Sequence, residues 1–80
     1  MQLYRFQFTT EAGQAGDTVE SSHSSDRDAM CDAVRTVAEM LKEQANGQTE
    51  MKGFSVGLHD PDGRDVGGIE VIISGPAACL

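Results

Sequence analysis

The densest run of ionisable side chains is His59-Asp60-Pro61-Asp62-Gly63-Arg64-Asp65, three carboxylates and one imidazole within seven residues. These are donor types that can hold a divalent cation. An EF-hand loop sets oxygen ligands at its first, third and fifth positions, Gly at the sixth and Glu at the twelfth. Counted from Asp60, the fifth position is Arg64, the sixth is Asp65, and no Glu stands at the twelfth. The spacing instead predicts a hairpin turn. Pro61 fixes φ at the first corner, Asp62 suits the second, and Gly63 takes a left-handed conformation.

A second run, Ser21-Ser22-His23-Ser24-Ser25, places an imidazole among four hydroxyls, with Asp26 and Asp28 close behind. Serine, histidine and aspartate can together form nucleophile, base and orienting acid. That chemistry also requires an oxyanion hole and a strained nucleophile turn, and the sequence signals neither. Serines ahead of a helix serve as caps and loop. The two cysteines, Cys31 and Cys79, stand 48 positions apart, without zinc or redox spacing. Cys31 reads as a small, partly buried residue of a helix, where Asp28 and Asp32 oppose a thiolate. Gly13 and Gly16 lack the Lys of a phosphate loop. The expectation is a protein with no catalytic, cofactor-binding or metal-binding residues: not an enzyme.

The elements that would position these groups follow from periodicity. Tyr4, Phe6 and Phe8 alternate with Leu3, Arg5 and Gln7, the pattern of a half-buried strand. Residues 11–16 form a glycine-containing turn, Asp17–Glu20 offers a short return strand, and Ser21–Ser25 is loop. Ser25 and Asp28 then make a Ser-x-x-Asp start signal. Met30, Val34, Val37 and Leu41 recur at helical spacing, widened by Ala33, Ala38 and Ala45. Asp28, Asp32, Arg35, Glu39, Lys42 and Glu43 take the opposite face. Asn46-Gly47 predicts a left-handed C-terminal cap. Phe54, Val56 and Leu58 alternate again. After the Asp60–Gly63 turn, the parity of apolar residues changes from Val66 to Ile69, Val71 and Ile73, and Gly67-Gly68 marks a bulge. The candidate core is Tyr4, Phe6, Phe8, Val34, Val37, Leu41, Phe54, Val56, Leu58, Ile69, Val71 and Ile73.

The expected fold is α+β: one helix packed on one face of a three- to four-stranded antiparallel sheet, in order β-(β)-α-β-β. One small domain spans residues 1–80, with a flexible tail at 75–80. The far face of the sheet would carry Leu3, Ser55, Gly57 and Ile72. Leu3 and Ile72 are a modest apolar excess there; either a second copy covers part of it or pairs along an open strand edge, or the face is that of an ordinary half-wet antiparallel sheet.

Charge narrows the partners. Six Lys and Arg against thirteen Asp and Glu give a net charge of −7. Affinity for phosphates comes largely from clustered Lys and Arg, and here they are scattered, which argues against nucleic acid and anionic membrane. No apolar run reaches the length of a membrane span, and no signal peptide is evident. A cytoplasmic protein with free thiols is expected.

The order of features resembles a family of short bacterial proteins classed as a domain of unknown function. The matching residues are Tyr4-Arg5-Phe6, the stretch from Ala29 to Leu41, and Asp60-Pro61-Asp62-Gly63-Arg64. The resemblance spans most of residues 3–74 and implies no established activity and no catalytic residues. The functional expectation is a non-enzymatic protein-interaction module open to homodimerisation, with Leu3 and Ile72 as apolar interface candidates. The alternative is an acidic regulatory protein, antitoxin-like or inhibitory. It would dock on a basic partner through Asp28, Asp32, Glu39 and Glu43.

Overall fold

Among the described residues, alternation and helical spacing are realised in five elements. The computed structural model describes residues 1–10, 15–47 and 52–75. The elements are β1 (Gln2–Thr10), β2 (Ala15–His23), α1 (Asp26–Asn46), β3 (Phe54–His59) and β4 (Asp65–Val71). The four strands form one antiparallel sheet in the order β2-β1-β3-β4, and α1 packs on one face of it. This is the expected α+β fold. The loop at 11–14, the connection at 48–51 and the tail at 76–80, with Cys79, lie outside the described residues.

The period of two in β1 sends Tyr4 and Phe6 toward the helix, where they are 1% and 3% exposed, and leaves Leu3 and Arg5 outside. Val56 and Leu58 of β3 are buried on the same face, with Phe6 paired to Leu58 and Phe8 to Val56. From the helix, Ala29, Ala33 and Val37 complete the core, and Phe8, Met30, Leu41, Phe54, Val66, Ile69 and Val71 pack around it. The wide apolar arc of the helix therefore settles on Ala29 and Ala33. The aromatic rings of β1 fill the space between the layers, so the helix presents small side chains there. Val34, placed in the core by its spacing, is 53% exposed. It sits about 100° around the helix from Ala33, past the edge of the buried arc. Cys31, expected to be partly buried, is exposed for the same reason.

Both ends of α1 were partly legible. Ser25 caps the N-terminus, its Oγ accepting the Asp28 backbone N–H at 3.1 Å. The C-terminal cap differs from expectation. Gly47 is extended (φ −85°, ψ 165°), and its N–H donates to the Glu43 and Gln44 carbonyls without a left-handed turn. Past it, Gln44 exchanges two hydrogen bonds with the backbone of Lys52, at 3.1 and 3.2 Å, and so ties the helix end to the approach of β3.

Three further corrections concern the strands. β2 runs from Ala15 to His23 rather than Asp17–Glu20, so Ser21, Ser22 and His23 are strand instead of loop. They pair with Tyr4, Leu3 and Gln2, because a long β1 offers a ladder to polar residues as well as apolar ones. β4 ends at Val71, which leaves Ile73 outside the strand and outside the core cluster. The bulge exists but lies one step earlier. Leu58 pairs with Gly67 and His59 with Asp65, so Val66 is the extra residue. That insertion lets Val66 share the helix-facing side with Ile69 and Val71.

Candidate functional site

Three groupings could carry function. The first is the β3–β4 turn. Asp60 is 8% exposed, and its carboxylate is fully engaged with its own hairpin. Oδ1 accepts the backbone N–H groups of Asp62 and Arg64 at 3.0 and 2.9 Å, and Oδ2 meets Arg64 Nε at 3.1 Å. The backbone closes the loop with Asp60 N–H to Arg64 O at 3.0 Å and Gly63 N–H to Asp60 O at 2.9 Å. Gly63 holds φ +85°, as the sequence predicts. The Arg64 N–H is the main influence holding the Asp60 carboxyl below its ordinary 3.8. Burial opposes it, while the Asp62 N–H and the Arg64 guanidinium reinforce it. A carboxylate bonded this way organises a turn. Among the described residues no group of three or more His, Cys, Asp or Glu is arranged to hold a metal ion.

The second grouping gathers at the start of α1. The Tyr4 hydroxyl donates to Asp26 Oδ1 at 2.5 Å, with the Gln2 amide oxygen 3.2 Å away. This bond, then burial and the Asp26 charge, push the phenol up to about 12. His23 packs against Tyr4 and Phe6 with ring centroids 6.0 and 5.8 Å away. Its Nε2 lies 3.3 Å from Asp32 Oδ2, within ion-pair reach, but the alignment does not make a hydrogen bond and the atom is buried. The last two serines of the run turn toward the helix start. Ser24 donates to Asp28 Oδ2, and Ser25 is the cap. His23 and Asp32 thus meet, while Ser24 and Ser25 are engaged with Asp28 and Ser21 and Ser22 lie in β2. The residues serve to pin β1 and β2 to the first turns of α1. Sequence spacing could not find the Tyr4–Asp26 contact, because its partners are 22 residues apart.

The third grouping is the surface left over. On the helix-free face, Arg5 lies between Glu20 and His59, Gln7 between Thr18 and Gly57, and Ser55 between Thr9 and Glu70. Of these, Gln7, Thr9, Ser55, His59 and Glu70 line a shallow groove of about 450 Å³ over Gly57 and Gly68. Leu3 (48% exposed) and Ile72 (77% exposed) do not form one patch. Leu3 sits near the Arg5–His59 end of the sheet, and Ile72 follows Val71 at the Phe54 end. Val19 of β2 (49% exposed) and Val34 of α1 (53% exposed) are the other large apolar residues left outward within these elements, while Met30 and Leu41 stay packed against the core. Asp28, Asp32, Glu39 and Glu43 line the other flank of α1, toward β2, where Asp32 meets His23.

No family model, curated protein or solved structure matches this chain. No described helix is long and apolar enough to cross a membrane.

Proposed function

We propose that this chain is a small, non-enzymatic protein-interaction module. The supporting observation is how its polar groups are used. Asp60 organises a turn, Ser24 and Ser25 close a helix start, and Tyr4 fastens Asp26, while Val34 is held outward on α1 at 53% exposure. Apolar residues held outward on a rigid helix are a recognition surface. The test places a photo-crosslinking residue at Val34, Leu3, Ile72 or Glu39 in the native cell. A discrete adduct at Val34 supports the reading, and absence of adducts at all four positions overturns it.

A second reading rests on the flank carrying Asp28, Asp32, Glu39 and Glu43. It makes the chain an acidic regulator docked on a basic protein. An electrostatically steered complex weakens as salt rises, whereas an apolar interface holds. Adducts confined to Glu39 and lost at high salt favour this second reading.

A further inference from the structure

We infer that the open edge of β2 takes up an extended basic peptide as a fifth strand, with one apolar side chain of that peptide seated between β2 and α1. The inference rests on the acidic-regulator reading and adds the surface used and the chemistry of the partner. The sheet has two outer strands, β2 and β4, and the two differ. β4 is blunted. Val66 bulges out of its ladder, and the Gly67 N–H already donates to Asp65 Oδ1 at 3.0 Å. β2 pairs with β1 in unbroken register over residues 18–23 and contains neither Lys nor Pro, so it offers a regular edge with nothing on it to block a further strand.

Beside this edge lies a cleft of about 170 Å³, with Phe6, Phe8 and Val19 as its apolar wall and Ser21, Asp32 and Thr36 as its polar rim. Val19 pairs with Phe6 and so faces the helix side, yet it stays half exposed. Sites for whole small molecules run to about 300–1,000 Å³, so this cleft is of a size for one side chain. In an added strand every second side chain points to the same face, and one apolar residue can fill the cleft while its neighbours reach both rims. Those rims are acidic. Asp32 and Glu39 stand on the helix flank, Glu20 is on the opposite face of the strand, and Asp17 lies further along it. β2 has no cation, and Arg5 of β1, paired with Glu20, faces the helix-free side. At 100° per residue, Arg35 and Lys42 fall about 60–80° further from the sheet than Asp32. A second copy would set acid against acid at this edge, whereas a strand bearing Lys or Arg complements it.

The test presents the full chain with a displayed library of random peptides of about ten residues, the length of a long strand. Selected sequences should place Lys or Arg around one Val, Ile or Leu, and their affinity should fall as salt rises. A selected peptide should slow amide exchange in residues 18–22 of β2 and leave residues 66–71 of β4 unchanged. N-methylation of one alternate set of its backbone nitrogens should abolish binding, and the other set should tolerate it, because only one set faces the edge. Val19→Lys, at an exposed site, should weaken binding about tenfold or more without changing the far-ultraviolet spectrum. Glu70→Gln on β4 should leave binding unchanged. Failure to enrich any peptide overturns the inference, as does protection on β4, or binding indifferent to both Val19→Lys and N-methylation. Basic peptides that bind with the same salt dependence but protect α1 alone sink the fifth strand and keep the acidic regulator. Selected peptides without Lys or Arg sink both.

Discussion

Tyr4 is the single tyrosine of a chain without tryptophan, so its ionisation can be followed alone by phenolate absorbance. With its proton held by Asp26, the midpoint should fall near 12 rather than 10. The folded state favours the neutral phenol. The stability it contributes is therefore complete below the unfolded value and is lost as pH rises from about 10 through the folded value. Asp26→Asn should return the midpoint toward the ordinary value, and an unmoved midpoint would refute the assignment. Asp60 works with the opposite sign. Its carboxyl is held below 3.8, so its contribution is present above that value and disappears as acid carries the pH through the lowered folded one. Asp60→Asn retains an oxygen for the Asp62 and Arg64 N–H groups and should unfold at higher urea than Asp60→Ala. Equal urea midpoints would mean that the two backbone bonds do not hold the turn. The Asp60 turn was legible in the sequence because all its partners fall within five residues. Alternation could place Tyr4 indoors, but which group its hydroxyl meets depends on how strand and helix dock.

At the scale of elements, the helix shows what periodicity decides and what it leaves open. Spacing marked its extent to within a residue and its Ser25 cap, since both are local. Its rotation about its own axis was not legible. Ala29 and Ala33 weigh little on any hydrophobicity count, yet they face the sheet because Tyr4 and Phe6 fill the interlayer space. Val34 and Val37 look equivalent by type, and the fold separates them. Val37 is 6% exposed, and Val37→Ala should cost about 1.5–3 kcal/mol in transfer and cavity energy. Val34→Ala should change stability by less than about 0.5 kcal/mol. Urea denaturation of the two variants checks the rotation, and similar losses would place the helix a third of a turn away. The same logic explains β2. Its polar residues carry no inward alternation to announce a strand, and only the length of β1 beside them supplies the ladder.

The 80-residue chain has, among its described residues, seven buried hydrophobic residues at its centre, and this sets how much damage the fold can absorb. Domains are stable by roughly 0.05–0.15 kcal/mol per residue, or about 4–12 kcal/mol at this size. Leu58 is 1% exposed, pairs with Phe6 on one side and Gly67 on the other, and lies beneath the helix. Truncation to alanine at such a site costs about 2–5 kcal/mol, because the lost transfer energy is joined by a cavity that a close-packed centre cannot collapse. One substitution would then remove a large part of the total. Leu58→Ala should lower the urea midpoint sharply while leaving the slope of the transition unchanged, since the surface exposed on unfolding is nearly the same. A midpoint shifted by less than that of Val37→Ala would mean that the helix and sheet do not close over Leu58. A reduced slope would mean that the variant has lost its fixed packing before unfolding. Either result would detach the helix from the sheet, and with it the rigid mounting of Val34 on which the proposed recognition surface depends.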